Sequence, residues 1–284
     1  MNKPSIYDQI TERIISMLES GIIPWRKPWT AKACMPRNAV TKKPYRGANV
    51  LLLHSLSYES PFFATYKQVT QLGGSVKRGE KACPVIFWKP LEVKDDATGE
   101  VEKIPLLRYF YVFNLSQCEG LKNIPAPVDV PTTSTEAQSI IDNMPQRPAL
   151  KFGMTKAFYS PREDYVAMPN RERFDSEAGF FATMFHELTH ATGHATRLNR
   201  STLTDHAGFG TNDYSKEELV AELGASFLCA EAGIEQTLDN TAAYIANWLT
   251  ALKNDSKLII QASAQAQKAT DFILARKFGE AATE

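Results

Sequence analysis

Two histidines and a glutamate form the segment His186-Glu187-Leu188-Thr189-His190, in a stretch that we predict to be helical over 180–192. Residues four apart on a helix share a face, so His186 and His190 point the same way. Two imidazoles at this spacing supply half of a tetrahedral zinc site, and Glu187 is placed to act as the general base of a hydrolysis. The motif therefore predicts a zinc-dependent hydrolase. The competing interpretation is a helix whose histidines only form hydrogen bonds in the core.

The third protein ligand must come from another segment. A further histidine in the pattern His-x-x-Gly-x-x-His would fall at position 196, which is a threonine. A second helical segment, 215–228, carries Glu218 and Glu222 on one face. We predict that Glu222 is the ligand. Glu218 is the supporting or alternative ligand, because it also completes a capping-box pattern with Ser215.

Three nearby features bear on this second helix. The small residues at 224–226 follow Glu222 and would let another helix approach closely. Asp205 and His206 are weaker ligand candidates in a predicted loop. Tyr214 could donate a hydrogen bond to a developing oxyanion, although a packing role is the simpler interpretation.

The bulk properties indicate a chain with two different halves. Its 284 residues are enough for two domains and its formal net charge is zero. Residues 1–125 hold 18 Lys and Arg against 11 Asp and Glu, whereas residues 126–284 hold 14 against 21. This asymmetry makes the basic half a candidate for binding polyanions.

Cysteine usage and hydropathy indicate a compartment. The four cysteines form no C-x-x-C pair, which argues against a cysteine zinc site and against a disulfide framework. The N-terminal segment has the spacing of an amphipathic helix rather than of a signal peptide, and no apolar run approaches the ~20 residues of a membrane span. We expect a cytoplasmic protein that does not contact a membrane.

The order of the predicted elements indicates an α+β fold in two domains. A small α+β domain covers 1–122, a linker rich in Pro and Thr covers 123–138, and a mainly helical domain covers 139–284. The predicted helices are 6–20 (capped by Ser5), 48–56, 62–72, 180–192 (capped by Asp175 or Ser176), 215–228 and long helices within 239–278 with Trp248 and Leu252 inward. The predicted strands are 83–89, 91–94 and 106–114, with a hairpin loop at 95–99, and a short strand at 164–169 whose edge could hold an extended peptide.

The basic half interleaves aromatic residues with cations. Cations neutralise phosphates and aromatic faces stack on unpaired bases, so this composition favours single strands over duplexes. An ordinary aromatic core with a solvated lysine surface explains the composition equally well. The predicted DNA contacts are Trp25, Arg26, Lys27, Trp29, Lys43, Tyr45, Arg46, Lys77, Arg78 and Lys81.

Taken together, these motifs resemble the ArdC antirestriction proteins of conjugative plasmids and the related N-terminal regions of plasmid primases. The resemblance covers nearly the whole chain and includes the run Pro24-Trp25-Arg26-Lys27-Pro28-Trp29. The matching segments are 7–15, 21–29, 44–49, 74–79, 185–190, 193–194, 197–200 and 217–223.

This resemblance implies an N-terminal domain that binds single-stranded DNA and a C-terminal zincin-like metallopeptidase domain. It also implies protection of an incoming plasmid from host restriction during conjugation. The family's metal motif matches this chain at His186, Glu187 and His190. The resemblance implies Zn²⁺ as the bound ion, with Mn²⁺ as an alternative, and a protein substrate of unknown identity. The third ligand stays open between Glu218 and Glu222, because the family motif contains both.

The sequence also bears on three other functions. The main one is a non-catalytic protein that binds single-stranded DNA and whose zincin site is structural or vestigial. A DNA mimic is disfavoured, because mimicry needs a dense negative surface and the N-terminal half is basic. A zinc deaminase is disfavoured, because the chain lacks both H-x-E and P-C-x-x-C.

Overall fold

The computed structural model describes residues 4–26, 35–94, 101–122, 124–125, 134–204, 212–234 and 242–277. These residues form a mixed helical and sheet structure, which confirms the α+β class. The helices are α1 (Ile6–Glu19), α2 (Ala48–His54), α3 (Tyr66–Gln71), α4 (Ser134–Asp142), α5 (Glu177–Thr192), α6 (Ser201–Thr204), α7 (Asn212–Ala232), α8 (Ala242–Asn254) and α9 (Leu258–Ile273). The strands are β1 (Arg37–Asn38), β2 (Phe62–Thr65), β3 (Ser75–Val76), β4 (Cys83–Lys94), β5 (Val101–Asn114), β6 (Cys118–Glu119), β7 (Ala149–Lys151), β8 (Phe158–Ser160) and β9 (Tyr165–Ala167).

Helices α1 and α3 begin where side chains cap them. Ser5 caps α1 as predicted, since its hydroxyl accepts from the amide of Asp8 while the carboxylate of Asp8 accepts from the amide of Ser5. The predicted helix over 62–72 is only partly correct, because Thr65 caps α3 through Gln68 in the same reciprocal way. The residues before Thr65 therefore lie outside the helix and form β2.

A four-stranded sheet in the order β1-β2-β5-β4 dominates the N-terminal half. Strand β4 pairs antiparallel with β5 along the whole length of β4, from Cys83 opposite Val112 to Lys94 opposite Val101. The two strands predicted at 83–89 and 91–94 are therefore one, and Pro90 does not break it, because an edge strand tolerates proline. The predicted hairpin loop at 95–99 lies outside the described residues.

The C-terminal half combines a small sheet, in the order β7-β9-β8, with packed helices. Helices α5, α7 and α9 pack against one another, and Trp248 and Leu252 point into the core as predicted. Helix α4 begins at Ser134, so the last residues of the predicted linker are helical. Of the described helices, none combines the length and the apolar composition needed to cross a membrane.

The largest hydrophobic core joins the two halves of the chain. It contains Ile14 and Val112 from the N-terminal half together with Phe227 and Ile259 from α7 and α9. A second core lies within the C-terminal half, around the apolar face of α5. The sequence-based division into domains at 123–138 stays a prediction, and the shared core means that the N-terminal half packs directly against α7.

Trp25 marks this contact. Its indole ring meets that of Trp248 edge to face at 5.4 Å, and its carbonyl accepts a hydrogen bond of 2.8 Å from the Ser226 hydroxyl. Trp25 is 1% exposed. The N-terminal half therefore supports α7 one turn beyond Glu222.

Candidate metal centre

Helix α5 brings the two histidines of the H-E-x-x-H motif together. Ser176 caps its start by accepting from the amide of Gly179 at 3.0 Å, and Gly193 ends it, both as predicted. Phe181 and Phe185 lie on the apolar face of the helix, which is buried. His186 and His190 then lie one turn apart, with their rings edge to face and 4.8 Å between centroids.

Helix α7 crosses α5 closely because glycine occupies the contact. A Cβ atom added at Gly224 would lie 2.5 Å from the Cγ2 atom of Thr189 and 2.7 Å from its Oγ1 atom. Only glycine fits against this side chain without a shift. The predicted role of the small residues at 224–226 is therefore confirmed at this contact, which brings the acidic face of α7 to the histidines.

Three side chains converge on one point. The Nε2 atoms of His186 and His190 lie 3.2 Å apart. The Oε2 atom of Glu218 lies 3.6 Å from Nε2 of His186, and its Oε1 atom lies 3.5 Å from Nε2 of His190. Each residue offers one ligand atom, and these atoms lie within 4.8 Å of one another. Ligands that sit ~2.0–2.1 Å from a tetrahedral zinc are roughly 3.3 Å apart, so these separations fit such an ion.

Glu222 occupies a different place from the one that we predicted. Its Oε1 atom lies 3.9 Å from Nδ1 of His186, on the side of the ring away from the convergence point. Nδ1 of His186 is buried and has no hydrogen-bond partner among the described residues. The geometry therefore favours the alternative ligand, Glu218, and puts Glu222 where a small shift would let it accept a hydrogen bond from His186.

Ser215 also differs from the prediction. Because α7 begins at Asn212, Ser215 lies inside the helix rather than at its cap. Glu218 is therefore not the end of a capping box, and its carboxylate is directed at the histidines instead. Asp205 and His206, the weaker candidates, lie outside the described residues.

Glu217 supports the other histidine in a buried network. Its Oε1 atom lies 3.3 Å from Nδ1 of His190, so the remaining ring nitrogen points at the convergence point. Arg200 donates to both oxygens of Glu217, at 3.1 and 2.5 Å, and Thr202 donates a further hydrogen bond. Arg200 also donates to the carbonyl of Thr189 on α5. Such outer contacts fix the orientation of a metal-binding imidazole.

This network was missed by the sequence reasoning. Arg200 and Glu217 both lie in the segments that carry the family resemblance, but the sequence analysis predicts no role for either. The available signal was the position of Glu217, next to Glu218 and two residues before Leu219, in a helix whose acidic face had already been recognised.

The pKa values show that the pocket favours positive charge. Burial alone lowers the pKa of His190, but hydrogen bonds to Glu217 and Glu218 raise it to about 10. The pKa of His186 is also raised: burial lowers it, but the hydrogen bond to Glu218 and the charges of Glu187 and Glu222 together outweigh burial and the charge of His190. Burial raises the pKa of Glu217, yet the charge of Arg200, together with hydrogen bonds from His190 and Arg200, brings it down to about 2. Opposite charges nearby produce such shifts, and a divalent cation would satisfy the same carboxylates.

Two further side chains act on the three residues of this cluster. Glu187 is 8% exposed and its charge acts on His186, yet its carboxylate has no hydrogen bond or ion pair within the described ranges. The Tyr214 hydroxyl lies 3.4 Å from that of Tyr244 and is also hydrogen-bonded to Glu218. Burial raises the pKa of Tyr214, and both contacts raise it further, so the hydroxyl keeps its proton.

The predicted peptide-binding strand needs a correction. Residues 165–167 form β9, which lies between β7 and β8 and therefore has no free edge. Asp164, just before it, accepts hydrogen bonds from Arg197 and Tyr159 instead. A strand with neighbours on both sides cannot accept an added peptide strand.

The predicted DNA contacts fall into four groups. Trp25 and Tyr45 are 1% and 5% exposed, because they pack against Trp248 and Phe63, so their prediction as stacking residues is corrected. Arg46 is partly exposed and paired with buried Asp271. Lys27 and Trp29 lie outside the described residues. The other five lie at or near the surface: Arg26, Lys43, Lys77, Arg78 and Lys81.

Comparison with known protein families gives one match in each half of the chain. Residues 4–113 match the family described as the N-terminal domain of anti-restriction factor ArdC, and residues 135–265 match the family described as zincin-like metallopeptidase. Together with the cluster of His186, His190 and Glu218, the second match indicates a site for a divalent metal.

Comparison with individual proteins extends the similarity over nearly the whole chain. Two DNA primases TraC of Escherichia coli are 33% and 32% identical over 96% of this chain, which spans only 27% and 20% of their length. The uncharacterised protein y4eC of Sinorhizobium fredii is 30% identical over 96% of this chain and 92% of its own.

Two crystal structures of the antirestriction protein ArdC from plasmid R388 share the fold at 35% identity. The metal-free structure matches with a TM-score of 0.77 over 95% of this chain and 97% of that one. The Mn(II)-bound structure matches with a TM-score of 0.78 over 96% and 98%. The chain therefore belongs to the ArdC antirestriction family and combines its N-terminal domain with a zincin-like metallopeptidase domain.

Proposed function

We propose that this protein is a metal-dependent peptidase that also binds single-stranded DNA and protects incoming plasmid DNA during conjugation. His186, His190 and Glu218 would hold Zn²⁺, or Mn²⁺ in its place. The observation that carries the peptidase proposal is the convergence of three ligand atoms at the spacing of a tetrahedral site. When bound, the ion would supply a Lewis acid next to a peptide carbonyl.

The residues around the ligands have separate tasks in this proposal. Glu187 acts as the general base that takes a proton from the attacking water. Its buried carboxylate is adjacent to His186 and is not held by another described side chain. Glu217 orients His190, and Arg200 in turn holds Glu217. Glu222 is assigned to the orientation of His186 rather than to the metal.

The proposed DNA binding has a different basis. It rests on the match of residues 4–113 to the ArdC N-terminal domain and on the excess of seven positive charges in residues 1–125. The proposed setting is the cytoplasm of a cell that receives the plasmid, and the protein substrate is unidentified. The domain division at 1–122, 123–138 and 139–284 is part of the proposal.

Metal removal and restoration test the peptidase. We expect protein stripped with a chelator to leave a proteome-derived peptide library intact, and the same protein resupplied with Zn²⁺ or Mn²⁺ to create new N-termini that mass spectrometry detects. The reason is that the ligand cluster has no catalytic ion without resupply. A library that stays uncut at every metal content, while metal still binds, would favour the alternative, a non-catalytic protein that binds single-stranded DNA.

Two matched variants test the ligand assignment. We expect Glu218→Gln to weaken metal binding by more than the ~10–100-fold typical of losing an outer contact, and Glu222→Gln to stay within that range. Both variants keep side-chain size and lie one turn apart on α7, so a general disturbance of the helix would affect them equally. Isothermal titration of chelator-treated protein measures the affinities, and the reverse ranking would return the assignment to Glu222.

A further inference from the structure

The sheet of the N-terminal half exposes consecutive aromatic residues on a strand. Tyr109, Phe110 and Tyr111 of β5 are 52%, 44% and 50% exposed, whereas the next residue, Val112, is 1% exposed. Side chains alternate between the faces of a strand, so Tyr109 and Tyr111 share the face opposite to Val112. Contiguous exposed apolar groups of this kind mark interaction sites.

The two tyrosines form a defined surface, which we call the tyrosine face. Their rings lie edge to face with 5.8 Å between centroids, and their register partners on β4 are Ile86 and Pro84. Tyr66, 63% exposed, is the first residue of α3 and follows Thr65, the register partner of Val112. The rings stand on a paired strand rather than on a loop, which limits the entropy lost when a ligand orders them.

Exposed cations lie close in sequence to the residues of this sheet. Lys81 comes just before β4, Lys67 follows Tyr66, and Arg108 precedes Tyr109 on β5, where alternation turns its side chain to the other face; all three are exposed. In the ranges that the structure describes, these three side chains have no ion pair with a carboxylate. Lys77, four residues before Lys81, donates to the Ser116 carbonyl at 2.9 Å. The surface therefore combines flat rings with positive charge.

We propose that the tyrosine face is the surface on which single-stranded nucleic acid stacks, an inference that rests on the proposed DNA binding. Base stacking on aromatic rings needs unpaired bases and tolerates any sequence, and the neighbouring cations contact the phosphates. A protein partner is less favoured, because exposed lysines are depleted in protein interfaces. The tyrosine face thereby replaces Trp25 and Tyr45, which are buried, as the aromatic part of the site.

Anisotropy titration of a fluorescein-labelled oligothymidylate of roughly 20 nucleotides tests the proposal with full-length protein. Each stacked ring contributes at least about fivefold to affinity, so Tyr109→Ala with Tyr111→Ala should weaken binding by ~25-fold or more. The double variant Tyr109→Phe with Tyr111→Phe keeps both rings and should bind like the wild type. Phe152→Ala with Phe158→Ala removes two comparably exposed rings from the C-terminal half and is the matched control.

The outcomes separate the surface from the function. A wild-type protein that fails to bind the oligonucleotide overturns the proposed DNA binding and this inference with it. A wild type that binds, together with an alanine double variant that binds equally well, overturns the tyrosine face alone. A phenylalanine variant as weak as the alanine variant rules out stacking. If the alanine variant does not fold, Tyr111→Trp serves instead, since stacking should quench the added fluorescence and no quenching overturns the proposal.

Discussion

We expect Glu187→Gln to lower the rate of peptide hydrolysis by about 10²–10⁴-fold while metal affinity stays unchanged. Glutamine has the size of glutamate but cannot take a proton. The neighbouring carboxylates cannot substitute for it: Glu217 is held by Arg200, and Glu218 faces both imidazoles. Only Glu187 combines burial beside His186 with a carboxylate that no other described side chain holds.

Cleavage rates on the peptide library and metal titrations of the same preparations measure the two effects. Glu177→Gln is the matched control, because Glu177 lies on the same helix, at its first turn, and pairs with Arg171 on the surface. It should cleave like the wild type. A Glu187→Gln protein that binds metal and still cuts at the wild-type rate would remove Glu187 from the mechanism.

Local periodicity was enough to predict how the two histidines face each other. Spacing along one helix fixes their relative direction, and the two Nε2 atoms lie 3.2 Å apart. The choice between Glu218 and Glu222 depends on where α7 crosses α5. That crossing is set by the contact of Gly224 with Thr189, between residues 35 positions apart, and no local pattern encodes it.

The burial of the aromatic residues also depends on contacts that local sequence patterns do not encode. The mixture of rings and cations in the N-terminal half predicted a nucleic-acid surface, but composition does not separate core from surface. Trp25 is buried because of Trp248, more than 200 residues later in the chain. Tyr109 and Tyr111 are exposed because the alternation along β5 turns Val112 inward and the tyrosines outward.

Arg200 is the residue outside the convergence point whose loss should cost the most stability. Arg200 and Glu217 are 5% and 3% exposed and share two hydrogen bonds. We expect Arg200→Met to lower the free energy of unfolding by about 3–5 kcal/mol, because it leaves the carboxylate of Glu217 buried without its cation. Urea unfolding of chelator-treated protein measures this loss without a contribution from bound metal.

Two controls separate the buried charge from the lost contacts. Arg276→Met removes a comparable bidentate pair with Glu231 that is partly exposed, and it should cost no more than about 1 kcal/mol. Arg200→Met combined with Glu217→Met removes both charges and should recover most of the stability, although His190 then loses the contact that orients it. If Arg200→Met and Arg276→Met lowered the free energy of unfolding equally, the buried pair would contribute no more to stability than the partly exposed pair. Recovery of stability in the double variant, with metal affinity still ~10–100-fold below the wild type, would separate the role of Glu217 in orienting His190 from its role in folding.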